Sequence, residues 1–227
     1  MAGGPVLALC ASRCSGPWPF SVALRHGDQL VVDAPVPGSR ADLPAHAVAL
    51  CRAAGIAPQS LAEVRIDLGP GSYVGLRVAV TLARFLHREA GVRLLAATSL
   101  ELMACASATR HALDGSTVHV LLDARRGRWH AQSLHVGTDH IEPRSQPHAL
   151  PPAEALASLA AGSVVIADMA LHGELQQAAR ERNLRLLAPE PVDAATLFDR
   201  RLRLGEHAAA DLEPLYLMGT YADEPRA

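Results

Sequence analysis

Val64-Arg65-Ile66-Asp67-Leu68 runs straight into Gly69-Pro70-Gly71-Ser72-Tyr73-Val74-Gly75-Leu76-Arg77, and a helical pattern continues from Tyr73 until it stops before Gly91. A strand, a tight glycine turn and a helix N-terminus therefore follow one another. Such a junction aims backbone N–H groups at one point, and glycine allows positive φ and close backbone approach. Read from spacing alone, the loop is either a cradle for an anion or a structural β-to-α turn that touches no ligand. It is not a Walker loop, because that motif needs a lysine to reach the phosphates and this chain has none. The interval of Gly69, Gly71 and Gly75 also departs from the dinucleotide fingerprint Gly-x-Gly-x-x-Gly.

Composition narrows the class around this junction. A chain of 227 residues, 49% hydrophobic and 19% charged, can bury one large core or two small ones. All 21 basic residues are arginine, so Schiff-base chemistry and pyridoxal phosphate attachment are excluded. A formal net charge of −2 argues against a surface that cradles nucleic acid as a whole. Any nucleic-acid contact is then local, and Arg125-Arg126-Gly127-Arg128 and Arg200-Arg201-Leu202-Arg203 are the candidate clusters. Their plainer reading is a solvated turn and a solvated helix face. Cys10, Cys14, Cys51 and Cys105 are scattered, and beside Cys10 and Cys14 no Cys-x-x-Cys or His-x-x-x-His pair completes a four-ligand metal site. No apolar stretch is long enough to cross a bilayer, and Met1-Ala2-Gly3-Gly4-Pro5 lacks the basic flank of a signal peptide, so the expectation is a cytoplasmic chain without membrane contact.

Outward from the loop the pattern alternates. Val6 to Cys10 reads as a buried strand, and Ser21-Val22-Ala23-Leu24-Arg25 with Gln29-Leu30-Val31-Val32 reads as a hairpin turning at His26-Gly27-Asp28. Leu43, Ala47, Leu50 and Ala54 share one helical stripe stopped by Gly55. Leu94 to Ala97 is a further strand, with Ser99 as the N-cap of a helix over Leu100 to Ala108. These elements make a first domain over 1–112. In the second, 113–227, strands over Val118–Ala124, Trp129–Val136 and Val164–Ala167 alternate with helices from Pro151-Pro152 to before Gly162, from Gly173 to Arg182 and from Ala194 to Gly205.

Gly-Pro-Gly-Ser-aromatic-x-Gly-Leu-Arg over 69–77 resembles the signature of the TsaB (YeaZ-like) family, the non-catalytic subunit of the bacterial machinery that makes threonylcarbamoyladenosine in tRNA. Other stretches match in order. Leu7-Ala8-Leu9-Cys10-Ala11-Ser12 leads to Ser21-Val22-Ala23-Leu24, where the family has an apolar strand, Asp-Thr-Ser and Ser-Val-Ala-Leu. Gly91 to Glu101 resembles Gly-x-Pro-Leu-x-x-Val-Ser-Ser-Leu-Glu, Asp123-Ala124-Arg125-Arg126-Gly127-Arg128-Trp129-His130 resembles Asp-Ala-Arg-Arg-Gly-Glu-Val-Tyr, and Glu213-Pro214-Leu215-Tyr216-Leu217-Met218 resembles Glu-Pro-x-Tyr-Leu-Arg.

The resemblance implies an α/β fold built as a two-lobed actin-like ATPase (ribonuclease H-like) duplication, with mixed sheets flanked by helices. It implies pairing with a TsaD-like catalytic subunit through the helices of 43–54 and 73–90, so Leu43, Ala47, Leu50, Val78, Leu82, Phe85 and Leu86 are the expected interface. For Val78, Leu82, Phe85 and Leu86, ordinary core is the alternative. Gly69, Gly71, Ser72 and Gly75 would shape the loop or touch a phosphate, and Arg77 would anchor it or the partner. No catalytic or metal residue is expected. ATP and metal would sit on partner subunits, with a TsaE-like ATPase also in the assembly, tRNA met through the complex, and a homodimer as a further option.

Departures matter too. Cys10 stands where the family has Asp, and a thiol does not replace a hard oxygen ligand for magnesium. Asp67 would substitute only by pointing into the cleft. Ala79 and Phe85 stand where the family carries glycine on the loop helix. The rival readings are a homodimeric paralogue without the partner, an actin-fold kinase or ATPase, and a glycoprotease-like peptidase. The last lacks a Gly-x-Ser-x-Gly elbow and a His-Glu-x-x-His pair.

Overall fold

The computed structural model describes residues 4–35 and 42–217. Met1, Ala2 and Gly3 of the amino-terminal flank and Met218 of the tail motif lie outside the described residues. In chain order the elements are β1 (Val6–Cys10), β2 (Ser21–His26), β3 (Gln29–Asp33), α1 (Leu43–Ala53), β4 (Glu63–Asp67), α2 (Tyr73–Ala90), β5 (Arg93–Ala97) and α3 (Ser99–Arg110). Then follow β6 (Ser116–Asp123), β7 (Trp129–Val136), β8 (Ile141–Pro143), β9 (His148–Leu150), α4 (Pro152–Ala157), β10 (Val164–Ala167), α5 (His172–Arg182), β11 (Arg185–Leu187) and β12 (Gly205–Glu206).

The two sheets repeat one plan. In the first, the order β3-β2-β1-β4-β5 joins two antiparallel pairings to two parallel ones; in the second, β8-β7-β6-β10-β11 does the same. This is the expected two-lobed duplication of mixed sheets flanked by helices. Strand β1 shows why its residues must be apolar on both sides. Leu7 and Leu9 enter the core under α1 and α2, while Ala8 and Cys10 enter a second core shared with α3 and the other sheet. A third core, around Trp129, Val165 and Leu175, fills the α4 and α5 side of the second sheet.

Several boundaries differ from the sequence expectation. Thr98, not Ser99, caps α3: its hydroxyl accepts from the Glu101 N–H, and the Glu101 carboxylate accepts from the Thr98 N–H at 2.7 Å. Ser99 is then free to turn inward. Helix α4 ends at Ala157 rather than running on to Gly162. The expected helix over Ala194–Gly205 is a single 3-10 segment, Ala194–Phe198, capped by Asp193 and ended by extended backbone at Asp199. Arg201, expected on a solvated helix face, has a side chain only 13% exposed and set between Asp114 and Asp199.

The end of the chain also leaves the second sheet. Strand β12 pairs with β5 of the first, Leu212 is buried in the first lobe's core, and the Leu215 N–H donates to the Leu68 carbonyl at 2.7 Å. The described residues after Gly205 thus pack on the first lobe, which corrects a division placing all of 113–227 in the second. The short strands β8, β9 and β11 carry too few residues for period-2 alternation to register.

Replacing Thr98 by Ala removes the cap while leaving Glu101 one partner short. We expect a loss of about 1 kcal/mol in urea unfolding, with an unchanged m value.

Candidate functional site

The glycine loop joins β4 to α2, and its shape is set by contacts inside the lobe. Gly69 sits at φ 94°, a conformation that favours glycine, and the Gly69–Pro70 peptide is cis. A Cβ on Gly71 would overlap the Ser12 carbonyl oxygen and lie 2.7 Å from the Ser12 Cβ. A Cβ on Gly75 would overlap the Ala11 carbonyl oxygen. The first turn of α2 therefore lies against the backbone just after β1, and only glycine permits that approach. The same contact consumes amides that an anion would need. The Ser72 N–H donates to the Ser12 carbonyl at 2.6 Å, and the Gly75 N–H donates to the Ser72 hydroxyl, which caps the helix.

Beneath the loop lies a buried carboxylate. Asp67, wholly buried at the end of β4, accepts from the Gly69 N–H at 2.8 Å and the Ser99 hydroxyl at 2.7 Å through Oδ1, and from the Cys10 thiol at 3.4 Å through Oδ2. Burial raises its pKa, and the hydrogen bonds from Ser12, Ser99, Gly69 and Cys10 oppose that rise. Cys10 is pushed well above the usual thiol range by burial and then by the Asp67 charge, and Cys14 is pushed up to about 12 for the same two reasons. Both remain thiols at neutral pH.

A metal-organising acid would have to offer oxygen to the cleft. Here the strand position holds a thiol, and the neighbouring carboxylate is committed to the loop, so the donor set does not fit a hard cation. Among the described residues no group of three or more His, Cys, Asp or Glu is placed to hold a metal ion.

The expected partner residues divide sharply. Leu43, Ala47 and Leu50 of α1 and Leu86 of α2 are buried in the first lobe's own core, with Leu82 half-buried against it. Leu43, Ala47, Leu50 and Leu86 thus serve the core of this chain, while Leu82 keeps part of its surface exposed. Val78 and Phe85 are exposed, Phe85 by 51%. The two departures from the family pattern also part: Ala79 is fully buried, whereas Phe85 faces solvent. Arg77 turns to the start of its own helix. It bonds the Tyr73 hydroxyl one turn back and covers the Tyr73 ring at 5.0 Å.

Sequence reasoning missed three exposed residues beside it. Tyr73 and Val74 open α2, and Tyr216, from the returning tail, lies 5.4 Å from the Tyr73 ring. Val74 follows the helical repeat with Val78 and Phe85 of the expected stripe, while Leu82 and Leu86 of that stripe turn toward the core. The arginine turn is a hairpin tip between β6 and β7, where Arg125, Arg126 and Gly127 all have positive φ and the Arg125 N–H donates to Asp123. The Arg125, Arg126 and Gly127 positions are exposed.

Comparison with known proteins decides the family. The family model of TsaD, tRNA N6-adenosine threonylcarbamoyltransferase, matches residues 40–192, about two thirds of the chain. The chain belongs to this family. Within it the chain is TsaB/YeaZ-like. It is 41% identical over 73 residues to the tRNA threonylcarbamoyladenosine biosynthesis protein TsaB of Bacillus subtilis, a match spanning 32% of this chain and 30% of that relative. YeaZ from Pseudomonas aeruginosa superposes with a TM-score of 0.75 at 19% identity over 95% of this chain and 100% of the other. A Pseudomonas aeruginosa protein described as similar to peptidase YeaZ gives 0.73 at 20% over the same shares. At those identities the likeness establishes the fold, and the actin-like architecture is that of the TsaD-family domain. Among the described residues no helix is long and apolar enough to cross a membrane.

Two measurements test the loop. Gly71→Ala should lose about 1–3 kcal/mol of stability in chemical denaturation, as an overpacked site does. Gly173→Ala, on α5 with open space around it, should not. Asp67 has a native pKa raised above its unfolded value, so its native form holds the proton more tightly. Stability should fall as pH rises from about 4, the unfolded carboxylate value, through the native one. Half-buried His119 and His130 have values lowered by desolvation and act with the opposite sign. The difference between wild type and Asp67→Asn across that range isolates the aspartate, and the variant should lack its downward slope.

Proposed function

We propose that this chain is an accessory subunit in the formation of threonylcarbamoyladenosine in tRNA, and that it works by pairing with a TsaD-like catalytic protein. The single observation that carries this reading is the outward stripe of α2. Val74, Val78 and Phe85 are exposed along one side of a helix whose opposite side, with Leu76, Ala79, Val80, Ala83 and Leu86, is core, and Tyr73 is exposed at its first turn. An apolar stripe on a helix that already has its core face filled is the pattern of a surface made to be covered. Tyr216 enlarges its amino-terminal end beside Tyr73, and Arg77 and Arg88 lie over the Tyr73 and Phe85 rings at its two ends.

The chemistry of the site supports an accessory role. Cys10 and the committed Asp67 offer no free carboxylate to organise a metal and phosphates, so ATP, metal and transfer chemistry belong to the partners. A TsaE-like ATPase completes the assembly, and tRNA is met through the complex in the cytoplasm. The printed name of the Bacillus subtilis relative, a threonylcarbamoyladenosine biosynthesis protein, supports the pathway. A homodimer through the same helix stripe is the second reading, favoured by the apolar character of Phe85.

Co-purification of the full chain with the TsaD-like protein of the same cell, read by light scattering after size exclusion, tests this. A one-to-one complex is expected. Phe85→Arg should weaken it by about 2 kcal/mol or more, roughly thirtyfold, with an unchanged near-UV spectrum. The chain alone should show no magnesium-dependent ATP turnover, and a clear rate would overturn the accessory role.

A further inference from the structure

The first lobe has a second uncovered feature, separate from α2. Strand β3 ends the first sheet, and its Leu30, Val31 and Val32 are 42%, 48% and 41% exposed. An open strand edge is a template for another strand, so folded proteins blunt it with brevity, charge or proline. Among the described residues the other outer strands are short or blunted, β9 having only three residues. Strand β12 has two residues and carries Glu206, bonded to Arg93; β8 ends on Pro143 after Glu142; β11 has three residues and opens on Arg185. Strand β3 has five, three of them apolar in a row.

The register says which backbone groups face outward. His26 and Gln29 flank the two-residue turn Gly27-Asp28, with Gly27 at φ 59°, so they exchange hydrogen bonds with each other. Alternation then turns the N–H and C=O of Gln29, Val31 and Asp33 toward β2. Those of Leu30 and Val32 point to the open edge.

We propose that this edge docks a second copy of this chain, β3 against β3 antiparallel, with the two-fold axis at Val31. In that register Leu30 of each copy faces Val32 of the other as a hydrogen-bonded pair, which satisfies the outward groups of both strands. Val31 faces its own counterpart across the axis, at the close spacing of a non-bonded pair. Gln29 faces Asp33, an amide donor opposite a carboxylate, and no charge meets a like charge. Moving the axis by one residue to Leu30 or Val32 sets Val31 against Gln29 or Asp33, and Pro35 limits pairing beyond residue 34. The sequence Gln-Leu-Val-Val-Asp is thus complementary to itself in one register. The result is a sheet continuous through both copies.

Disulfide trapping of the full chain tests the register, since the four native cysteines are buried. Val31→Cys, treated with diamide, should link into a dimer, because the two thiols meet at the axis. Leu30→Cys should not, because it faces Val32. Equal linking at both positions, or none at Val31, overturns the proposal. Charge gives an independent readout by sedimentation. Val31→Asp and Val31→Arg should each be monomeric through this face, and an equal mixture should recover dimers. If each variant alone matches wild type in mass, the edge is not an interface. Phe85→Arg should leave the Val31→Cys link intact, so failure of the α2 reading and failure of this one are distinguishable.

Discussion

The close approach of α2 to the backbone after β1 is the contact on which the first lobe depends. Gly71 and Gly75 have no Cβ, so the Ala11 and Ser12 carbonyls lie where side chains would begin. The helix is thereby pulled down onto the parallel strands, and Leu76, Ala79, Val80 and Ala83 are delivered to the core. An anion cradled by this turn would occupy the space beside the Gly71 and Gly75 backbone. Here the chain's own backbone fills it, and the amides that would greet an anion bond to Ser12 and Ser72 instead. The loop that looks most like a binding motif is, in its geometry, a packing motif.

Asp67 follows from the same constraint. A glycine turn with few side chains has little to hold it, and a buried carboxylate supplies direction instead, fixing Gly69 from one oxygen and reaching Ser99 and Cys10. Burying that charge is costly unless it is hydrogen-bonded, and the donors arrive from β1, the loop and the start of α3. Cys10 in place of an acid is consistent with this arrangement. A second carboxylate within reach of Asp67 would add repulsion in a buried site, whereas a thiol donates a hydrogen bond.

Most of the fold was legible because strands and helices announce themselves by period. Val64–Leu68, Val118–Ala124, Trp129–Val136 and the Tyr73–Ala90 helix all read correctly. What period cannot say is which of two apolar stripes looks inward. On α1, Leu43, Ala47 and Leu50 share a face, and that face is core; on α2, Leu86 is core and Phe85, its neighbour, is not. Orientation is decided by what lies on the other side, which is a tertiary fact. The segment after Ala194 failed for a related reason. Its composition suits a helix, but Asp199 and Asp114 draw Arg201 inward, and the chain leaves as an extended strap toward β5. The resemblance to the family supplied the duplication, which residue periods alone left open among several α/β arrangements.

Duplication makes the two lobes comparable, and their surfaces then say what each is for. Among the described residues, the exposed large apolar side chains are Leu30, Val31, Val32, Val48, Tyr73, Val74, Val78, Phe85, Met169 and Tyr216. Met169 alone belongs to the second lobe; Tyr216, though late in the chain, is carried back by the tail to stack beside Tyr73. Two sheets of the same plan would share such exposure if it were a by-product of the architecture. They do not share it. The second lobe buries its apolar residues and blunts its edges, while the first leaves an α2 stripe and a β3 edge uncovered. Between them lies α1, which packs against both α2 and the β2–β3 hairpin. The first lobe therefore carries most of the exposed apolar surface among the described residues, on a helix and on a strand edge that are separate from one another.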